Sequence, residues 1–178
     1  GVGVPVGGTS GQVLAKVDGT DYNTEWVDQT GGSGGGTGEP ASVGAHRYWG
    51  IRNASAVGGD LSLASLAFRN APAGSPATTA TAFATSNFDG STLPVNAFDT
   101  NTTTLWAGAA GDRNASLWGD FGTPISFNEL SITSRSGAFS TQTPRSFTVV
   151  YSDDGVKFFD LIDVVYPTAF GSLETRTV

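Results

Sequence analysis

Six of the eight residues from 31 to 38 (GGSGGGTG) are glycine, and no other feature constrains the chain as strongly. A run with almost no side chains buries nothing and loses the most backbone entropy on ordering, so residues 31–40 are read as a linker. It divides the 178 residues into a piece at 1–30, too short for a core of its own, and a piece at 41–178, the size of one ordinary domain. In the short piece, GQVLAKV, a turn at Asp18-Gly19, and then Tyr22, Trp26 and Val27 suggest a strand, a turn and a second strand. Such a hairpin-like module is expected to be stabilised by association, most simply with copies of itself. The sequence has no Met, position 1 included, which leads us to expect a piece of a longer polypeptide.

Several chemistries are excluded by what the sequence lacks. There is no Cys and one His, His46, which removes disulfides, thiolate zinc sites, cysteine nucleophiles and the ordinary His-based triad. Nine Lys and Arg stand against sixteen Asp and Glu, a formal charge of −7. A nucleic-acid backbone or an anionic membrane calls for a basic face, so nucleic acid is not an expected partner. Without an apolar run of membrane-spanning length or a basic segment leading into an apolar one, membrane insertion and export by the usual signals are not expected either.

Beyond the linker, short apolar stretches alternate with Gly, Pro, Asn and Asp clusters, and stripes of helical period are nearly absent. Strands are expected at residues 46–52, 61–69, 80–84, 117–121, 129–135, 146–152, 157–165 and 174–178. Phe147, Val149 and Tyr151 alternate, as do Leu130 and Ile132, so each set should share a core-facing side. Ser152-Asp153-Asp154-Gly155 should close a hairpin, because Gly accepts positive φ and Asp bonds its own turn. The fold class that follows is all-β, an antiparallel sandwich with a hairpin-like module at its amino end.

Residues 96–106 (NAFDTNTTTLW), 117–125 (LWGDFGTPI), 144–147 (PRSF) and 151–155 (YSDDG) resemble, in order and spacing, the discoidin family, also called coagulation-factor type C or galactose-binding-like domains. The resemblance covers residues 46–178 and implies an eight-stranded jelly-roll-like sandwich whose end loops bind sugars or other ligands. Residues 45–51 (AHRYWGI) and 174–177 (ETRT) are similar to versions of this domain in bacteriophage structural proteins. Residues 7–16 (GGTSGQVLAK) and 20–27 (TDYNTEWV) resemble a short element recurrent in phage tail and head fibres. The implied arrangement is a virion fibre or spike, made in the host cytoplasm. Residues 1–30 would be its shaft or attachment module, contacting other virion proteins, and residues 41–178 its terminal adhesion domain, presented as a homotrimer.

Asp99, Asn101 and Thr104 place three oxygen-bearing side chains within six residues, the ligand type a hard cation prefers. The resemblance implies a structural Ca²⁺ at this loop, held with a later Glu, and Glu174 is the only Glu after Glu129. Thr100 stands where relatives carry Gly, and a β-branched residue resists the positive φ that Gly permits. The alternative is that these side chains satisfy the loop's own amides.

Trp49, Trp106 and Trp118 could stack on a pyranose ring. The resemblance puts Trp106 and Trp118 in the core, and Trp49 lies in an alternating strand, so all three are expected to be buried. The carbohydrate-binding candidates are loop residues: Asn87, Phe88 and Asp89; Arg113 and Asn114 beside Asp112; and Phe139, Gln142 and Arg145. They combine aromatic, amide, carboxylate and guanidinium groups, the set that reads sugar hydroxyls and acidic sugar groups. Taken singly, a residue of this kind is more often an ordinary solvated loop residue.

Glycosidase chemistry would need two carboxylates flanking a bond. Most Asp residues sit in turns whose conformation explains them, and the chain is too short for a long repeated β-helix. The expected function is therefore non-catalytic recognition of host surface polysaccharide. The alternative is a purely structural fibre or capsid-decoration module that mediates protein–protein contacts.

Overall fold

The computed structural model describes residues 12–16, 24–28, 44–57 and 60–178. The chain forms two compact units, residues 1–41 and 42–178. In the first, β1 (Gln12–Lys16) pairs antiparallel with β2 (Thr24–Asp28), in register from Gln12 opposite Asp28 to Lys16 opposite Thr24. The expected turn at Asp18-Gly19 and the linker at 31–40 lie outside the described residues.

The second unit is an antiparallel sandwich with almost no helix. Its strands are β3 (His46–Ser55), β4 (Ser62–Leu63), β5 (Ser65–Arg69), β6 (Thr81–Ala84), β7 (Trp106–Ala107), β8 (Leu117–Ile125), β9 (Glu129–Thr133), β10 (Ser146–Ser152), β11 (Phe159–Val165) and β12 (Thr175–Thr177). One sheet runs β11-β10-β3-β8-β6, a second β12-β9-β5, and β4 pairs with β7. Between them lies one core, with Trp49, Ile51, Leu117, Phe147 and Val149 from the five-stranded sheet and Leu66, Phe68, Leu130 and Ile132 from the three-stranded one. Trp49 ties two strands at its rim, its indole N–H donating to the carbonyls of His46 and Ile125, both at 2.9 Å. His46 itself is structural, stacked on Tyr151 at 4.1 Å with Nδ1 3.0 Å from Asp153.

The strand expected at 61–69 is divided at Ala64. On one side β4 pairs with β7, and on the other β5 pairs with β9, so the chain changes partners at this residue. Every side chain from Leu61 to Phe68 is buried, which leaves no polar alternation to mark the break. Strand β7 was not expected from the sequence because two residues carry no period. Strand β3 runs on to Ser55 through a bulge: Asn53 and Ala54 stand opposite Phe147 alone, and Asn53 takes φ 53°. Asn tolerates that left-handed conformation better than most residues, and the extra residue of the bulge brings the strand to it here. The turn at 152–155 closes as its residues suggest, with Gly155 at φ 70° and Asp154 Oδ1 accepting the amides of Val156 and Lys157, each at 2.8 Å.

Trp49 and Trp106 are fully buried, but Trp118 is not a core residue. It follows Leu117 in a pleated strand and so points to the outer face of the five-stranded sheet. There it meets Phe83 at 6.3 Å and Phe158 at 5.2 Å. Gly50 lies directly beside it: a Cβ on Gly50 would fall 2.4 Å from Trp118 Cβ.

Candidate functional site

The site forms at the end of the sandwich where β3, β6 and β9 finish and β5, β8 and β10 begin. Long connections leave β6 and β9 there, and each is fastened to the core before it reaches the surface. Buried Trp106 donates its indole N–H to the Ser86 carbonyl at 3.1 Å. Ser86 Oγ in turn donates to Asp112 at 2.5 Å and accepts the Ala109 amide at 3.1 Å. The Phe88 amide donates to the Ala107 carbonyl at 2.8 Å, and the Gly108 amide to the Leu61 carbonyl at 2.9 Å. Through these bonds the loop after β6 hangs from β7 and its partner β4.

Asp89 gives this loop its shape. Its Oδ1 accepts the Ser91 amide at 2.8 Å, the Ser91 hydroxyl at 2.7 Å and the Thr92 amide at 3.1 Å. The Ser91 hydroxyl and amide, with smaller help from Thr92, hold its carboxyl below the ordinary carboxylate range, so it faces a ligand as an anion. Asn96 clamps the next segment, its amide donating to the carbonyls of Ser91 at 2.8 Å and Leu105 at 3.0 Å.

Opposite, residues 137–142 form a 3₁₀ turn entered through Gly137 at φ 69°. The Arg135 guanidinium lies 4.4 Å from the Phe139 ring centre. Gln142 Oε1 accepts from Ser62 Oγ at 3.0 Å and from Arg135 Nη1 at 3.3 Å, which leaves its NH₂ as a donor. Between the two connections lies a cavity of about 570 Å³, walled by Asp60, Phe88, Asp89, Arg135, Phe139 and Gln142 with residues 103–105. Phe88 and Phe139 are 56% and 52% exposed, so each offers a ring face at the rim.

Of the eight carbohydrate candidates, Phe88, Asp89, Phe139 and Gln142 meet on this wall, and the other four do not. Asn87 supports the Asp89 turn, donating to its carbonyl at 3.0 Å. Arg113 and Asn114 are exposed on a separate turn, where the Asn114 amide donates to Asp112 at 3.1 Å. Arg145 is committed to the backbone, donating to the carbonyls of Tyr166 at 3.0 Å and Pro167 at 3.2 Å. A guanidinium beside a turning chain satisfies carbonyls as readily as ligands, and the sequence does not distinguish the two. Asp60 and Arg135 enter the site without having been expected there. The signal for Arg135 was its place at the end of an alternating strand, flush with the Ser-Gly pair that opens the Phe139 turn.

The expected calcium residues fall into two groups. Asp99 Oδ1 accepts the Asn101 amide at 2.8 Å and Oδ2 the Thr104 hydroxyl at 2.7 Å, while Asn101 Oδ1 accepts the Thr103 amide at 3.0 Å. Glu174 lies in another turn, held by Arg176 Nε at 2.7 Å and by the Gly171 amide at 2.5 Å. Arg176 and that amide lower its carboxyl below the ordinary range. A Ca²⁺ ion at these four residues would have to compete with the loop's own donors and with a guanidinium. Among the described residues no three His, Cys, Asp or Glu side chains form a metal-holding cluster.

Thr100 takes φ 59° despite its β-branch. A left-handed residue with a Cβ stores about 1–2 kcal/mol, and Gly gives back about 0.5–1 kcal/mol through its freer unfolded chain. Thr100→Gly is therefore expected to raise stability by up to about 1 kcal/mol in urea denaturation. A midpoint lowered by the full entropic cost of Gly, about 0.5–1 kcal/mol, would show that the loop stores no strain there.

Residues 79–178, more than half of the chain, match the family described as F5/8 type C domain. No curated protein and no solved structure matches the chain. Residues 46–78, ahead of the matched segment, supply Trp49, Ile51, Leu66 and Phe68 to the same core.

Proposed function

This chain belongs to the F5/8 type C domain family, and on that premise we propose that it is a non-catalytic carbohydrate-binding module whose loop-end cavity takes a surface polysaccharide. Discoidin-like domains commonly bind carbohydrates or mediate interactions. The observation that carries the reading is the meeting of Phe88, Asp89, Phe139 and Gln142 around one open cavity of about 570 Å³. Two ring faces at the rim stack on the apolar face of a pyranose. The carboxylate and the amide between them accept from and donate to its hydroxyls.

The module is further proposed to act on a virion fibre or spike, attached through residues 1–30 and binding host polysaccharide. The likeness of residues 7–16 and 20–27 to phage fibre elements supports that placement. Presentation in three copies would turn weak single-site binding into firm adsorption by effective concentration.

A pull-down of host capsule, or a glycan array, with the full chain in monomeric and multimerised form tests the reading. Retention by the multimer is expected. The Phe88→Ala/Phe139→Ala double variant is expected to lose it at least about tenfold, since two stacking faces go, with an unchanged melting temperature because both side chains are exposed. Failure of the multimer to retain any glycan would overturn the reading in favour of a structural module.

A further inference from the structure

Arg47 pairs with Asp120, Arg52 with Asp160, Arg69 with Glu129 and Arg176 with Glu174. Arg135, Arg113, Arg145 and Lys157 form no ion pair among the described residues, and of these four only Arg135 lines the cavity, Arg145 being spent on carbonyls. The one side-chain hydrogen bond of Arg135 goes from Nη1 to Gln142, at a long 3.3 Å, and Nε and Nη2 have no protein partner among the described residues. The group is nonetheless held in place. Phe139 covers one side of the guanidinium at 4.4 Å. The backbone carbonyl of Arg135 accepts the Leu173 amide. Arg135 also stands where two cavities adjoin, of about 570 and 350 Å³, which share residues 103–105 as well.

Resting on the carbohydrate reading above, we infer that Arg135 is the specificity residue of this site and selects a carboxylate-bearing sugar, a hexuronate or a similar acidic pyranose, within the polysaccharide. A half-buried, fixed guanidinium with two free donors is suited to a planar carboxylate, which it grips through two parallel bonds. The two acids on the same wall narrow the choice. Asp60 Oδ1 accepts the Gly111 amide at 2.6 Å and Asp89 Oδ1 accepts the Ser91 amide at 2.8 Å, so each keeps one oxygen for the ligand. Those oxygens repel a compact, multiply charged anion such as sulfate or phosphate and accept from hydroxyls. A sugar acid carries both the carboxylate that Arg135 wants and the hydroxyls that Asp60 and Asp89 want. Because Arg135 faces both cavities, the acidic ring is expected to sit beside it, with the neighbouring sugar in the adjoining space.

Calorimetric titration of the full chain with a glucuronate- or galacturonate-containing oligosaccharide, and with its neutral glucose or galactose counterpart, tests the inference. The acidic ligand is expected to bind at least about tenfold more tightly than the neutral one, and Arg135→Gln to bring that ratio down to about one, its loss falling mainly on the acidic ligand. Arg135→Lys, which keeps the charge and loses the fork, is expected to recover only part of it. Amide NMR dispersion shows that each variant is folded. Equal affinity of the native chain for acidic and neutral ligands, or full acidic affinity in Arg135→Gln, would overturn the inference and leave carbohydrate binding standing. Binding of neither ligand by the native chain, even when multimerised, would overturn both.

Discussion

Gly50→Ala is expected to remove more than about 3 kcal/mol of stability and to leave little folded protein at 37 °C. Gly50 occupies β3, the middle strand of the five-stranded sheet, with Val150 on one side and Trp118 on the other. An added Cβ would lie 2.3 Å from the Leu117 carbonyl oxygen, 2.4 Å from Trp118 Cβ and 2.7 Å from Trp118 Cα. Two of those atoms are backbone, locked in a ladder that cannot open without loss of its hydrogen bonds. Overpacking a core usually costs about 1–3 kcal/mol because side chains give way, and here the obstacle is the neighbouring strand itself. Gly90→Ala is the control, since nothing lies within 4 Å of a Cβ there. Its effect should stay within about 0.5 kcal/mol. Urea denaturation of both variants checks the pair; equal midpoints would refute the packing account.

Trp106→Ala should cost about 3–5 kcal/mol, the usual range for deleting a buried aromatic, and should abolish ligand binding as well. Trp106 is fully buried, and its indole N–H holds the Ser86 carbonyl from which the Phe88 loop departs. Removing the ring leaves a cavity under the site and frees that carbonyl together. Trp106→Phe separates the two effects. It keeps most of the apolar volume and loses the N–H, for about 1–2 kcal/mol from the hydrogen bond and a small void. If the loop depends on the bond, Trp106→Phe weakens binding more than its stability loss alone accounts for. Denaturation midpoints and titrations on both variants measure this, and native-like binding by Trp106→Ala would show that the loop stands without its anchor.

The core was legible because its causes are local. Phe147 and Val149 alternate in β10 as a half-buried strand requires, and both face the core. Trp118 shows where that logic needs help: alternation separates it from Leu117, yet a family pattern that favours an aromatic there suggested burial. The pleat sends it outward, and the room for its ring comes from Gly50, a residue 68 positions away that becomes its neighbour only through the β3–β8 register. The break at Ala64 was hidden for a related reason, since a strand buried on all sides carries no polar mark where it changes partners.

The candidate site divides in the same way. Phe88, Asp89, Phe139 and Gln142 were identified as loop residues of suitable chemistry, and turn-forming Gly, Ser and Asp around them made the loops readable. Arg113, Asn114 and Arg145 had equal standing by composition, and Arg135 had none. From residue order alone one could know that the chain would be β-rich, where its hairpins would close, and which polar side chains would lie on loops, because each depends on dihedral preference and period over a few residues. Which guanidinium would reach the cavity and which would spend itself on carbonyls awaited the packing of connections far apart in the chain. Arg145 met the carbonyls of Tyr166 and Pro167, while Arg135 met only an amide and a ring, and that difference in partners is a property of the assembled sandwich.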